Sequence, residues 1–268
     1  MKFKDMLISK TRLPEEIQKL FPSSYQILGN ICLIRMCEFL GKRYGKQIAG
    51  IILDNLPYVK TVCWIKGVHG EYRVPEVVIL AGKETETIHR ELGCKFKLDV
   101  SKIMWSKGNH HERERMISLA GKNETIVDMF AGIGYWSIPI AKHTKAKQIF
   151  AVEKNPVSFR YLQENIRLNH IPNITAILGD CRKVKLPVAD RIIMGYFPDT
   201  LKFLPYALKI SRKGTIIHLH ELGKNSDEIK KQIEKSLKKA RMKVKIKSWK
   251  VVKEFSPSKR HFVFDLCV

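Results

Sequence analysis

Acidic residues are scarce in this chain. Only 26 Asp and Glu stand against 49 Lys and Arg in 268 residues, a formal net charge of +23. Long apolar runs are missing too. No stretch approaches the roughly 18 consecutive apolar residues of a membrane-spanning helix, so no membrane association is expected. The opening Met1-Lys-Phe-Lys-Asp-Met lacks the apolar core and cleavage site of a secretory leader; a cytoplasmic protein is expected. None of the six cysteines forms a C-x-x-C pair, and most sit in apolar runs, which reads as buried free thiols in a reducing compartment. There is no internal repeat and no low-complexity segment, and 44% hydrophobic content argues against disorder.

What is present is positive charge. An excess this large points to a polyanionic partner, nucleic acid before membrane. It is unevenly placed: residues 201–268 carry 18 basic and 6 acidic side chains, about half of the whole excess. Apolar residues punctuate the Lys-rich stretch 224–253 at regular spacing, so the charge decorates folded elements rather than a tail.

The rhythm of the chain changes near residue 105. Before it, the pattern predicts a short helix over 13–22, one strand over Tyr25–Arg35, a helix over Met36–Leu53, three short strands between Val59 and Ala81, and a strand over Phe96–Trp105. Residues 1–105 are thus read as a small α+β domain. Residues 106–268 alternate helices with strands, predicted at Thr125–Phe130, Gln148–Glu153, Ile174–Leu178, Arg191–Met194 and Thr215–Leu219. That alternation implies a parallel sheet covered on both faces. Ser226 is the expected cap of a helix over 227–240, and Val244–Val252 pairs with Arg260–Val268 as an antiparallel hairpin. The fold class is α/β: a Rossmann-like domain with a seven-stranded mixed sheet behind the small domain.

Three successive strand ends carry the chemistry. The first runs into Asp128-Met-Phe130-Ala-Gly132-Ile-Gly134-Tyr135, a glycine turn opening a helix. Glu153 closes the next strand, 19 residues after Gly134, where a carboxylate accepts from ribose hydroxyls. Asp180 follows the third in Gly179-Asp180-Cys181, where it can accept from an adenine amino group. The third glycine of the dinucleotide pattern is missing, since position 137 is Ser. Asp128 beside the turn would repel a pyrophosphate and attract a sulfonium or ammonium. Both belong to S-adenosylmethionine. His110-His111 and His218-x-His220 have neither a nearby Cys nor H-E-x-x-H spacing, and no metal is expected.

From about Leu13 onward the chain resembles the tRNA-modifying enzymes that act on the purine just 3′ of the anticodon. These are the guanine-N1 methyltransferases and the wybutosine-pathway aminocarboxypropyltransferases. The resemblance runs through Val62, Gly70-x-x-Arg73, Ala81-Gly82, Thr85-Glu-Thr87, Glu91-x-Gly-Cys94-x-Phe96-x-x-Asp99-Val100, Ser106, Glu112-Arg113-x-Arg115, Asp128 to Trp136, and Glu153-x-Asn155-Pro156. It implies cofactor contacts on Ser106, Arg113, Glu153, Asp180 and Cys181, to which the glycine turn adds Asp128, Phe130, Gly132 and Gly134. Where the family has Pro after the Ser, this chain has Lys107.

After the fourth strand the methyltransferases resemble one another in an Asn-Leu-Pro motif. This chain has Gly195-Tyr196-Phe197-Pro198, similar to the Gly-x-x-Pro of the aminocarboxypropyl branch. Removing the N1 proton of guanine calls for a polar side chain at the purine edge; Gly195 offers none, while Tyr196 and Phe197 offer stacking surface. His220 is read as a substrate-side residue ending the fifth strand. The resemblance implies transfer of the 3-amino-3-carboxypropyl group to C7 of 4-demethylwyosine at position 37 of tRNA(Phe), with S-adenosylmethionine as co-substrate, the tRNA anticodon loop as partner, and a monomer. The alternatives are an N1-guanine methyltransferase and a non-catalytic RNA-binding protein. The three intact strand-end acids argue against the latter.

Overall fold

The computed structural model describes residues 2–196, 199–240 and 243–268; for residues 239–240 it describes the backbone. The chain divides into two compact units, Met1–Glu91 with Lys95–Lys107, and Leu92–Cys94 with Gly108–Val268.

The first unit contains α1 (Phe3–Ser9), α2 (Glu15–Lys19), β1 (Tyr25–Leu28), β2 (Ile31–Ile34), α3 (Glu38–Asn55), β3 (Thr61–His69) and β4 (Val74–Ala81), followed by β5 (Glu86–Glu91) and β6 (Cys94–Asp99). Its four-stranded sheet has the order β1-β2-β3-β4. Leu40, Ile48, Ala49 and Ile52 lie at helical spacing on one face of α3 and are buried with Cys32, Ile34 and Val62. Two expectations fail here for local reasons. The run Tyr25–Arg35 is a hairpin rather than one strand, because Gly29 at φ +55° turns the chain and pairs Leu28 with Ile31. The strand expected to reach Trp105 stops at Asp99, whose carboxylate accepts from the amide (2.9 Å) and hydroxyl (2.6 Å) of Ser101. That side-chain turn competes with the ladder.

The second unit contains α4 (His110–Leu119), β7 (Thr125–Asp128), α5 (Ser137–His143), β8 (Gln148–Glu153), α6 (Pro156–Leu168), β9 (Ile174–Leu178), β10 (Ala189–Met194), α7 (Leu204–Lys209), β11 (Ser211–Gly223), α8 (Ser226–Ala240), β12 (Lys245–Ser256) and β13 (Lys259–Cys267). These strands make one seven-stranded mixed sheet, order β12-β13-β11-β10-β7-β8-β9. The five strands β11 to β9 are parallel, and β13 enters antiparallel beside β11. Strands buried on both faces read as continuous apolar runs, as in Ile192-Ile193-Met194.

The two faces differ. Ile192, Met194, Ile217 and Leu219 meet α7 and α8 through Leu204, Leu208, Ile229 and Ile233 in an apolar layer. Ile126, Ile149 and Ile193 meet α4 and α5 through Met116 and Ile140. On that second face, alternation also turns His218, His220, His261 and Asp265 inward. Helix α8 is capped by Asn225, not by Ser226: the Glu228 amide donates to Asn225 Oδ1 (2.9 Å) and the Lys224 amide donates to Glu228 (3.4 Å), a reciprocal cap.

Candidate active site

The strand order reverses between β10 and β7. In open α/β sheets the crevice at such a switch, outside the carboxyl ends of the strands, is where ligands bind. The loops that meet there begin at Met129 and at Gly195. The sheet also sets β7, β8 and β9 side by side, so the three acids read from the sequence stand at neighbouring strand ends.

Their side chains are engaged differently. Asp128 is fully buried: its carboxylate accepts from Ser137 Oγ (2.7 Å) and the Phe130 amide (3.3 Å). Burial pushes its pKa up to about 7 against those bonds. Beside the cation-attracting role expected of it, the structure makes Asp128 the inner anchor of the glycine turn. Glu153 accepts from the Gly132 amide (2.7 Å) and, through its other oxygen, from the Asn155 amide (2.7 Å). The Lys154 amide bonds the same carboxylate, which with about four acceptor sites keeps capacity for a further donor. Burial raises the Glu153 pKa, and the amide bonds oppose that shift. Gly132 at φ +58° and Gly134 at φ +98° hold the turn in the left-handed region. The Gly132 amide is already committed to Glu153.

Asp180 is gripped by Arg182, whose Nε and Nη2 donate at 2.8 and 2.5 Å; that bond holds the carboxyl down at about 2. Cys181 is buried in the core beside it, and burial pushes its thiol up to about 12. The Arg182 guanidinium lies 5.0 Å from the Phe203 ring. Phe203 meets Phe130 edge-on (4.9 Å), and Phe130 stacks on Tyr196 (5.1 Å, 24° between planes). Loops after β7, β9 and β10 thus join in one aromatic cluster. Sequence reasoning gave Phe130 and Tyr196 but neither Phe203 nor Arg182. Nothing in the spacing ties a 3-10 turn at Thr200–Phe203 to the first glycine loop.

Gly195 has a partner the sequence did not reveal. A Cβ placed there would stand 2.9 Å from Trp136 Nε1, closer than real Cβ contacts come. Trp136 is buried and stacks on His220 (5.2 Å, 26°), whose Nδ1 lies 2.9 Å from His261 Nε2. His220 is therefore not at the rim. Strand β11 continues three residues past it to Gly223, and it pairs with Val263 inside the sheet. It is fully buried, and burial lowers its pKa to about 4. Its ring packs against Trp136 and is closed to solvent. Replacing Gly195 with alanine is expected to shift the loop by a few tenths of an ångström and lower turnover about tenfold without unfolding the chain. Trp136→Phe, which removes Nε1, should restore part of the loss. Steady-state kinetics alongside circular dichroism checks both.

Arg113 is buried on α4, 2% exposed. Ser106 belongs to the first unit, just before the 3-10 turn Lys107–Asn109. Phe197 and Pro198 lie outside the described residues.

Comparison with known proteins bears on this arrangement. Residues 87–247 match the model of the TRM5/TYW2 methyltransferase domain, and residues 3–85 match the TYW2 N-terminal domain. A tRNA(Phe) (4-demethylwyosine(37)-C(7)) aminocarboxypropyltransferase of Methanocaldococcus jannaschii is 48% identical over 74% of this chain and 77% of its own. The tRNA (guanine(37)-N(1))-methyltransferase Trm5b of Pyrococcus abyssi is 37% identical over 96% of this chain and 78% of its own. Among solved structures, P. horikoshii TYW2 in complex with MeSAdo superposes with a TM-score of 0.86 at 37% identity, covering 99% of this chain and 98% of that one.

Proposed function

The chain belongs to the TRM5/TYW2 methyltransferase-domain family, and within it we propose that this protein transfers the 3-amino-3-carboxypropyl group of S-adenosylmethionine to C7 of 4-demethylwyosine at position 37 of tRNA(Phe). The observation that carries this reading is the Gly195–Trp136 contact. Methylating N1 of guanine calls for a polar group that takes the N1 proton. Here the loop after β10 presents a glycine so near the Trp136 indole that a Cβ on it would stand 2.9 Å from Nε1, then Tyr196 stacked on Phe130. Attack by C7 on the sulfonium-bound carbon breaks the C–S bond and frees methylthioadenosine, and the C7 proton leaves to water only after the new bond has formed, so the bond-forming step needs position more than a base. The M. jannaschii relative named for the aminocarboxypropyl transfer supports it. So does the P. horikoshii neighbour, whose ligand MeSAdo, methylthioadenosine, is the leaving group of that reaction.

The residues fit the co-substrate. Two glycines at positive φ open the turn, and the Glu153 carboxylate keeps acceptor capacity beyond the backbone amides of Gly132, Lys154 and Asn155. The sulfonium of S-adenosylmethionine activates all three carbons attached to it, so the protein selects by placement. Glu153 takes the ribose hydroxyls, Phe130 lines the apolar wall, and Asp128 adds negative potential behind the turn. Asp180 shares its carboxylate between Arg182 and the adenine amino group. Cys181 acts only through its backbone. Arg113 holds the carboxylate end. Tyr196 and Phe197 stack on the tricyclic base, with Pro198 fixing the loop. The anticodon loop is the part of the tRNA that enters, and the protein works as a cytoplasmic monomer. No helix of the described residues is long and apolar enough to cross a membrane.

The decisive measurement supplies precursor tRNA and S-adenosylmethionine labelled in either the carboxyl or the methyl carbon. Carboxyl label entering tRNA is expected; methyl label alone overturns the proposal in favour of N1 methylation. A second outcome follows from Asp128. Its carboxyl, raised to about 7, holds a proton that the unfolded chain releases near pH 4. This group therefore makes stability fall as pH rises from about 4 to about 7. A bound cation lowers that pKa again, so binding S-adenosylmethionine near pH 7 is expected to release protons, whereas uncharged methylthioadenosine releases none. Calorimetry in buffers of different ionisation enthalpy measures this.

A further inference from the structure

The outermost strand of the second unit has no role in the pocket, and its composition is unusual. Among the described residues β12 pairs only with β13 and closes one side of the sheet. Edge strands are commonly protected by lysines, and β12 carries Lys245, Lys247, Lys250 and Lys253. Protection does not call for large apolar side chains in solvent. Yet Trp249, Val251 and Phe255 on the same strand are 43%, 41% and 43% exposed.

Trp249 is held in place rather than loosely displayed. Its ring lies 6.2 Å from that of Phe264, nearly parallel at 25°, and 6.0 Å from Phe262, both buried. The Lys230 ammonium, on α8, stands 5.1 Å from its centroid. An aromatic face fixed from below, with cations on two adjoining elements, is how proteins bind unpaired nucleic acid: bases stack while lysines follow the phosphates. Residues 226–268 carry 13 Lys and Arg against 5 Asp and Glu, so the partner is an anion. Two copies of a chain with net charge +23 repel each other, which argues against edge-to-edge pairing.

We propose that the β12 edge is an RNA-docking surface, with Trp249 as a stacking platform for an unpaired base of the acceptor RNA and Lys230, Lys245 and Lys247 on its phosphates. This rests on the reading of the chain as an enzyme that acts on tRNA. It adds a second contact, apart from the pocket at the switch point, that sets affinity rather than chemistry.

The test uses the full chain and an unmodified tRNA(Phe) transcript, with affinity read by fluorescence anisotropy across a salt series. Trp249→Ala is expected to weaken tRNA binding about tenfold at every salt concentration, a typical loss for one stacked base. It should raise KM for tRNA and leave kcat and the S-adenosylmethionine affinity unchanged, with Trp249→Phe recovering most of the loss. The double variant Lys245→Ala, Lys247→Ala is expected to reduce the log–log salt slope by one to two units, approximately one per phosphate released. Unchanged tRNA affinity in both variants overturns the proposal. So does loss of binding to anionic phospholipid vesicles with tRNA affinity intact, or dissolution of a dimer in sedimentation. Should Trp249→Ala fail to fold, the lysine variant decides alone. If the affinity falls as expected while only methyl label enters the tRNA, the docking surface stands and the proposed chemistry fails.

Discussion

A Glu153→Ala variant is expected to lose about two to four orders of magnitude in kcat/KM, the largest effect of any single change at the rim. The carboxylate has two tasks. It accepts from the Gly132 and Asn155 amides at 2.7 Å each, tying the glycine turn after β7 to the start of α6. In the proposed function its remaining acceptor capacity serves the ribose hydroxyls. A hydrogen bond to a charged group contributes about 1.5–3 kcal/mol, so two give roughly 3–6 kcal/mol, and tenfold in rate corresponds to about 1.4 kcal/mol. Glu153→Gln is expected to fall between, because its amide oxygen satisfies one backbone donor while its NH2 group opposes the other. Most of the loss should appear in KM for S-adenosylmethionine, with tRNA affinity unchanged. A Glu153→Ala enzyme with near-normal KM would remove Glu153 from the cofactor site.

The largest effect on stability is expected from Asp265→Ala. This buried carboxylate on β13 accepts from Arg115 Nη1 (2.8 Å) and Nη2 (3.1 Å), from His218 Nδ1 (2.6 Å) and from Ser248 Oγ (2.8 Å). His218 Nε2 lies 2.6 Å from Arg191 Nη1. A guanidinium can only donate, so the His218 proton must be on Nδ1, pointing at Asp265. Arg115 is bonded in turn to the buried Glu112, and Arg191 to Glu124. The seam thus runs across β10, β11 and β13 and reaches α4. Removing one partner from such a buried network costs about 3–5 kcal/mol, which lowers Tm by roughly 10 °C for a unit of this size. Asp265→Asn, which keeps the shape, is expected to lose less.

The pH dependence of this effect has a definite sign. Burial opposes charge on Asp265, but the bonds from His218 and Arg115 outweigh it and hold the carboxyl well below the usual carboxylate range. Its contribution is therefore complete above about pH 4 and disappears as pH falls further. Wild type and Asp265→Ala should converge in acid. His220, lowered to about 4, adds a loss beginning earlier. The unfolded histidine takes a proton near pH 6.5 that the buried ring refuses, so stability declines from about pH 6.5 to about pH 4. Denaturant unfolding of the wild type and both Asp265 variants across pH 3–8 measures the two phases. Equal stability of wild type and Asp265→Ala at pH 7 would refute the assignment.

The parallel core was legible because its signals are local. Gln148–Glu153 and Ile174–Leu178 are observed with the bounds read from the sequence. Apolar runs of that length, each followed by a polar turn, leave little choice. The errors occur where a side chain redirects the backbone. Asp99 ends its strand by bonding Ser101, Gly29 folds one apparent strand into two, and Asn225 rather than Ser226 starts α8. His220 was misplaced because β11 runs on to Gly223. Its extension is held by β13, a strand 40 residues downstream, and no property of the segment itself marks that.

The scarcity of acidic side chains and the few places where they occur settled much about this protein before any fold was known. Asp128, Glu153 and Asp180 follow three apolar strands at βαβ spacing, and spacing is a property of the chain alone. Only the tertiary structure decided what each acid does: Asp128 turned inward to Ser137, Glu153 bridging two amides, Asp180 held by Arg182. It also decided that Gly195 faces the Trp136 indole. These outcomes depend on which strands become neighbours, β10 beside β7 and β13 beside β11. The sheet settles that order through contacts between segments far apart in the chain.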